Sequence, residues 1–508
     1  MKRRTVLAFP AYVAAARLGG GRSSAAEART LQVVAPWEIT SLDPSRAGFI
    51  FTRLSVAETL VGAKPDGALV PQLAQSWSVA ADRLTWTFRL RSSARFHDGR
   101  PVTPADVAAA LERAAALPGP LRAAPIAAIS PTEGAVEIRT SRPFVSLPAF
   151  LAHSSTQILS PGSFAGGETV AVIGSGPYRT TKIEPPQRVE IAGFGGYDGT
   201  PPAVAAAAYL AASRAETRVL MAEAGQADLA FTIDPASRQR LRRNPRVTLL
   251  ELPIPRVVTL KVNCAHPALS DPRARRALSA AIDRPGVARA ILRNESAAAT
   301  QLFPPALAEW HVPDLPPLVR DLATARGLLA ELGWQPGPDG VLVRDGKPFA
   351  LTLRTFPDRP ELPLIAAALQ DQLREVGIRV SVAVGNSGDI PLGHRDGTLE
   401  LALLARNFAL VPDPLGTVLQ DFGPDGGDWG AMGWRHQGMQ RTLEALSAAF
   451  DPAERGRLRG DVARILHAEL PVVPIGWYDH SLAASRRVDG VVLDPLELSY
   501  HLPALRWT

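Results

Sequence analysis

The side chains able to do covalent or metal chemistry are dispersed along this chain. Its one cysteine, Cys264, stands in Val262-Asn263-Cys264-Ala265, so no intrachain disulfide can form. No Cys–His set has zinc spacing, and Cys264 reads as a small buried residue. His97 lies in the tight turn Phe96-His97-Asp98-Gly99, which fits a hydrogen-bonded structural histidine. Other histidines, such as His436 and His480, would have to be brought together by folding to hold a metal. There is no G-x-S-x-G nucleophile elbow and no H-E-x-x-H zinc motif. Gly174-Ser175-Gly176-Pro177 lacks the spacing and the Lys-Ser/Thr pair of a phosphate loop, and Pro177 removes an amide donor such a loop needs. The expectation is a protein with no catalytic set, no metal site and no cofactor.

The remaining signals describe a large exported globular protein. Hydrophobic residues make up 46% of the 508 and charged residues 20%, a composition able to bury extensive cores. At roughly 150 residues per domain the length suggests about three domains. The net charge of +6 resides in short arginine pairs, Arg242–Arg243, Arg275–Arg276 and Arg486–Arg487, which read as solvated helix faces. None is a basic run of the nucleic-acid kind, so no nucleic-acid partner is expected. Lys2, Arg3 and Arg4 precede an apolar stretch, Val6–Ala16, and Ala26-Glu27-Ala28 offers a cleavage site. Residues 1–28 therefore read as an export signal. Arg3–Arg4 matches a twin-arginine pattern, with the general secretory route left open. No cysteine near the cleavage site offers a lipid anchor, and no later stretch approaches roughly 20 uninterrupted apolar residues.

The elements that must position any site are legible as an α/β alternation. Leu84, Trp86, Phe88 and Leu90 alternate with polar residues, which predicts a half-buried strand. Trp77 and Trp86 read as core aromatics. Thr103-Pro104-Ala105-Asp106 predicts a capped helix start, and Asp271-Pro272 another. Ala274, Ala277, Leu278, Ala281 and Ile282 form an apolar stripe, with Arg273, Arg275 and Arg276 mainly off it. Leu322 to Leu332 forms a further stripe ended by Gly333. Leu364, Ile365, Ala368, Leu369, Leu373 and Val376 form another, ended by Gly377, and Ile378, Val380, Val382 and Val384 then alternate as a strand.

An ordered series of motifs carries a family resemblance. It begins with Ser41-Leu42-Asp43-Pro44, Ala57-Glu58-Thr59-Leu60-Val61 and Leu69-Val70-Pro71-Gln72-Leu73-Ala74-Gln75-Ser76-Trp77. It continues through Leu84–Arg91, Phe96–Thr103 and Gly174-Ser175-Gly176-Pro177-Tyr178. Ser270–Leu278, Ala281-Ile282-Asp283-Arg284, Ala325–Trp334, Pro412-Asp413-Pro414 and Glu469–Ile475 follow. The chain resembles the extracytoplasmic solute-binding proteins of peptide and nickel importers, family 5, over nearly its whole mature length. The resemblance implies an α/β, periplasmic-binding-protein-like fold of class II, cluster C type, with two lobes, an extra inserted domain and a ligand cleft between the lobes. Residues 29–50, 170–255 and 475–508 would form one lobe, 51–169 the inserted domain and 256–474 the other lobe. It also implies a periplasmic, monomeric protein that hands a small-molecule or peptide-like ligand to ABC permease subunits. A ligand-sensing partner of a membrane receptor and a nickel-chelate carrier stay open as alternatives.

The resemblance also places the ligand-facing segments. They are Pro36–Thr40, with Trp37, Glu38 and Ile39; Arg406–Leu410, with Asn407, Phe408 and Leu410; and Gly476–His480, with Trp477, Tyr478 and Asp479. Trp37, Trp477 and Tyr478 offer flat walls with polar tips. Glu38 and Asp479 offer acceptors for a cationic ligand. Two departures bear on the ligand. Peptide-binding members carry an aspartate where this chain has Leu410, and leucine cannot pair with an α-ammonium. Nickel-type members carry arginines where this chain reads Ala152-His153-Ser154-Ser155-Thr156-Gln157.

Overall fold

The computed structural model describes residues 29–117, 119–424 and 426–508. The expected export signal, 1–28, lies outside the described residues. Ten strands join into one mixed sheet. In chain order they are β1 (Thr30–Ala35), β2 (Tyr178–Glu184), β3 (Arg188–Gly193), β4 (Ala206–Ala211), β5 (Leu229–Phe231), β6 (Val247–Val262), β7 (Ala350–Thr355), β8 (Arg379–Val384), β9 (Leu401–Asn407) and β10 (Val472–Ser485). Their order across the sheet is β2-β3-β4-β1-β5-β10-β6-β9-β7-β8. β1 is parallel to β4 and β5, and β7 is parallel to β8 and β9, as α/β crossovers require.

Two strands run the length of the molecule. β6 and β10 pair antiparallel from Val247↔Ser485 to Lys261↔Val472. Their register shifts between Ile254 and Val257 and again between Val258 and Thr259. Pro253 and Pro255 explain this: neither can donate to the ladder, so the strand bulges and bends there. On either side of the bend sits a separate core. One gathers Leu31, Val33, Phe51, Tyr178, Tyr209, Phe231 and Leu482 around β1–β5. The other gathers Val258, Leu260, Leu351, Leu353, Ile365, Leu369 and Leu403 around β6–β9. The two lobes are thus joined by a kinked two-strand ribbon, the geometry of a hinge.

A four-stranded antiparallel sheet packs beside the first lobe, in the order Ala74–Val79, Thr85–Leu90, Ala135–Thr140, Ile126–Thr132. Trp86, Phe88 and Leu90 are buried as their alternation predicts, while Trp77 is half-buried. Thr103 and Asp106 form a reciprocal capping box on the helix Pro104–Ala116. Asp271 caps the helix Pro272–Ala281 by accepting from the Arg273 amide. Gly174 and Gly176 pack so closely on residues 55–57 that a Cβ on either would stand 2.2 Å from a backbone oxygen. His97 Nε2 lies 3.0 Å from the Gly176 carbonyl oxygen, which fixes the same junction.

Three expectations are corrected. Arg275 is not a solvated surface residue. It is fully buried, and its guanidinium donates to the carbonyls of Glu469, Leu269 and Ser270. In the helix Glu361–Arg374 the buried stripe is Leu362, Ile365, Ala366, Leu369 and Leu373, whereas Leu364 is 59% exposed. The following strand, Arg379–Val384, lies at the sheet edge, so Val384 ends in solvent.

Candidate ligand cleft

The three segments expected to face a ligand converge where the ribbon bends. β1 runs out into Pro36–Thr40, β9 ends at Asn407, and β10 carries Gly476–His480 through the bend. Trp37 is fixed by its carbonyl, which accepts from the Tyr209 hydroxyl at 2.6 Å. Its ring meets Phe49 edge-on, and the Arg53 guanidinium lies 4.3 Å from its centroid. The Arg256 and Arg359 guanidiniums each lie 5.2 Å from the Tyr478 ring centroid, and the Tyr478 hydroxyl accepts from Arg359 Nη1 at 3.1 Å. Trp477 donates through Nε1 to the Gln301 carbonyl at 3.1 Å. Asp479 accepts from Asn294 Nδ2 at 2.5 Å, with Arg238 Nη1 at 4.0 Å.

Glu497 stands at the centre of this cluster. Its carboxylate accepts from Arg256 Nη2 and, at 2.7 Å, from Asn407 Nδ2, while its carbonyl accepts from Arg53 Nε at 2.7 Å. One residue near the C-terminus therefore ties the hinge strand to both lobes. Burial would raise the pKa of this carboxyl, but Arg256, His480, Arg53 and Arg359 outweigh it and hold the group down at about 2. Burial lowers His480 to about 4, so its imidazole is neutral near pH 7. It also lowers Arg256 to about 10, which leaves that guanidinium charged. Several buried polar atoms here have no partner among the described residues: Arg53 Nη1, Arg256 Nη1, Glu361 Oε1, Glu497 Oε1 and His480 Nδ1. Such atoms are uncommon in folded proteins, and a ligand or water entering here would complete their bonding.

The expected residues separate by position. Trp37, Asn407 and Tyr478 contact the charged cluster, with Trp477 and Asp479 on its flank. Glu38 is exposed. Ile39 is buried in the first core and its amide donates to the Pro186 carbonyl at 2.7 Å. Phe408 is buried against Phe303, 5.3 Å between ring centroids. Leu410 is half-buried. His480 ends one of the expected segments, whereas Arg53, Arg256, Arg359 and Glu497 were not anticipated. Only Arg256 carried a sequence signal, as a lone charge in the run Pro253-Ile254-Pro255-Arg256-Val257-Val258. His436 caps the helix Gln437–Ala448 and stacks on Trp434, while His480 stacks on Phe231. Among the described residues no group of three or more His, Cys, Asp or Glu is placed to hold a metal ion. Cys264 is buried, and burial pushes its thiol up to about 11.

The cleft is closed. The spaces beside Glu497 and beside Asp479 measure about 10 Å³ each, roughly the volume one water needs. A larger solute enters this region only when the lobes separate.

The comparisons with known proteins agree with this architecture. The glutathione-binding protein GsiB of Escherichia coli (strain K12) is 27% identical over 380 residues, covering 72% of this chain and 71% of that protein. NikA from Staphylococcus aureus, solved in complex with Ni(L-His)2, superposes with a TM-score of 0.83 at 20% identity, covering 94% of this chain and 100% of that one. AgaA from A. tumefacien R10, solved with agropinic acid, superposes with a TM-score of 0.82 at 22% identity, covering 94% and 99%. The family description "Bacterial extracellular solute-binding proteins, family 5 Middle" matches residues 68–429, and the chain belongs to this family of bacterial extracellular solute-binding proteins.

Proposed function

We propose that this chain is the substrate-binding component of an ABC-type importer. It captures a small polar solute, a peptide-like molecule or amino acid conjugate, in the periplasm and delivers it to the membrane permease. The observation that carries this reading is the position of the unpartnered polar cluster, at the bend of the two long strands that pass between the two cores. Lobe separation exposes these groups, and closure removes water from them and strengthens their contacts with a ligand. In this reading 29–50, 170–255 and 475–508 build one lobe, 51–169 the inserted domain and 256–474 the other lobe. Export by the signal at 1–28, through the twin-arginine route, and a monomeric state complete the proposal. Among the described residues no helix is long and apolar enough to cross a membrane.

The test is a thermal-shift panel of di- and tripeptides, glutathione, an opine-type amino acid conjugate and nickel–histidine. At about 100-fold saturation a true ligand stabilises the protein by roughly 2.7 kcal/mol. A conjugate or modified peptide is expected to produce this shift. Free dipeptides are expected to produce little, because Leu410 offers an ammonium no acceptor. A panel with no shift in any member would contradict the proposal.

A further inference from the structure

Lysine is almost never enclosed on all sides without a paired carboxylate, yet Lys261 is. It lies on β6 between β9 and β10, and its side chain is fully buried. Its Nζ donates to the carbonyl oxygens of Gly427 and Asp428 at 2.8 and 2.9 Å and stands 2.7 Å from His394 Nδ1. Among the described residues it has no other hydrogen bond and no salt bridge. Two nitrogens this close share one proton: one donates, and the other must hold a lone pair. An ammonium can donate to a neutral imidazole, and a neutral amine can accept from an imidazole N–H. Two protonated groups cannot make the contact.

The charged groups around the pair come from each element packed on it. Asp421, on the helix Leu415–Phe422, is held by Arg406 of β9 at 2.6 and 2.8 Å. Asp428 pairs at 2.7 Å with Arg395, which neighbours His394 on the helix Asp389–Arg395. Arg354 of β7, beside the same helix, donates to the Thr398 carbonyl. Cys264 is a neutral thiol near pH 7, and β10 places only Val472 alongside. Each carboxylate already has its own arginine, so neither is free to neutralise a second proton on the pair. Burial lowers Lys261 to about 7, with Asp421 and Asp428 opposing, and burial together with the Lys261 charge lowers His394. Both groups therefore bind fewer protons in the fold than in the unfolded chain. The stability tied to them is complete above the ordinary lysine value of 10.5. It declines as pH falls, first towards about 7 with Lys261 and then below the ordinary histidine value of 6.5 with His394.

The two carbonyls that Lys261 holds belong to the loop 426–431. Trp429 of that loop meets Phe356 edge-on, 6.4 Å between ring centroids. Phe356 opens the segment that carries Arg359, whose Nη1 donates to the Tyr478 hydroxyl in the cleft. We propose that Lys261 and His394 form an acid-sensitive fastener: a second proton on the pair drives the two apart, frees the loop 426–431 and loosens the cleft wall at 356–359. The consequence for solute binding rests on the importer reading above and adds a regulation to it: a solute held near neutral pH is released on acidification.

The test is amide hydrogen exchange of the ligand-free mature chain at about pH 7 and about pH 5, corrected for the intrinsic pH dependence of exchange. The wild type is compared with His394→Gln and Lys261→Met. In the wild type the loop 426–431 is expected to exchange about tenfold faster at the lower pH, with 356–359 following it. His394→Gln keeps an acceptor for Lys261 but takes up no proton, so both segments should exchange alike at the two pH values. Lys261→Met removes the donor, so the loop should be loose at both. If that variant does not fold, His394→Gln decides alone, because His394 is half-buried and its replacement stays polar. The binding probe is glutathione, or the opine-type conjugate if glutathione gives no thermal shift. Its Kd is expected to rise at least about fivefold between the two pH values in the wild type and to stay level in His394→Gln. A wild-type loop that exchanges alike at both pH values, or a difference that survives in His394→Gln, would overturn the fastener. A loop that loosens while the probe's Kd holds would overturn its link to the cleft and leave the importer reading intact. No thermal shift from any solute of the panel would count against the importer reading, and the exchange data would still decide the fastener.

Discussion

Arg218→Ala is expected to lower the midpoint of thermal unfolding by about 3–5 °C, the shift that about 3–5 kcal/mol produces in a chain of this length. The side chain is fully enclosed between the ends of β4 and β5, where it joins Ala212–Ser213 to Phe231–Thr232. Thr232 has φ +58°, a left-handed conformation that a β-branched residue adopts only when its surroundings impose it. The imposing contacts are the Arg218 bond to the Thr232 carbonyl and the Thr232 amide bond to the Ser481 carbonyl at 2.8 Å. Removing the guanidinium leaves four carbonyls short of a donor and opens a large cavity. Losing one side of such a buried, charge-assisted network costs about 3–5 kcal/mol. Arg218→Lys keeps the charge but not the fork and is expected to fall between. A shift below about 1 °C in Arg218→Ala would mean that the loop ends are held by other contacts.

The second large effect concerns closure. The four-stranded unit and the second lobe touch directly, away from the charged cluster. Ser146 Oγ donates to Asp413 Oδ2 at 2.5 Å, which also accepts from Arg455 Nη2 at 3.0 Å. The Val145 amide donates to the Ser447 carbonyl at 3.0 Å. Phe450, from the second lobe, stacks on Trp86 at 6.4 Å, with the Arg83 guanidinium 5.1 Å from its ring. Val411 of the second lobe is buried in the core of the four-stranded unit. An opening that moves the second lobe away from this unit would break these contacts, so they favour closure whatever the ligand. The double variant Ser146→Ala/Phe450→Ala removes about 2 kcal/mol of this preference. When the competent state is less populated, apparent affinity falls by the same factor for every ligand. Affinity for two unrelated ligands should drop together, by about tenfold or more, and the ligand-free protein should show a larger radius of gyration in solution scattering. Loss of one ligand alone would place Phe450 or Ser146 in the recognition of that ligand instead.

Local pattern and long-range bonding were unequally legible. The strand from Thr85 to Leu90, the Thr103–Asp106 capping box and the stop at Gly333 follow from neighbours in sequence, and all three stand in the structure. The stripe around Leu364 was misjudged because apolar residues cover two faces of that helix, and only packing against the second core selects Leu362 over Leu364. Arg275 read as solvent-facing because its partners, Glu469 and the Leu269–Ser270 turn, come together only by folding. The same holds at the cleft. Arg53 and Glu497 meet across 444 positions, so no local spacing could join them. The segments next to family motifs meet at the bend of the ribbon, while Arg53, Arg256, Arg359 and Glu497, which charge that region, come from elsewhere in the chain.

The central claim is that this protein binds a solute reversibly between its lobes. Isothermal titration of the purified chain with the solute that gives the largest thermal shift, followed by mass analysis of the recovered solute, tests it most directly. The account predicts saturable binding at one solute per chain, with the solute recovered unchanged after prolonged incubation. Chemical turnover of that solute, or a titration that never saturates, would contradict it.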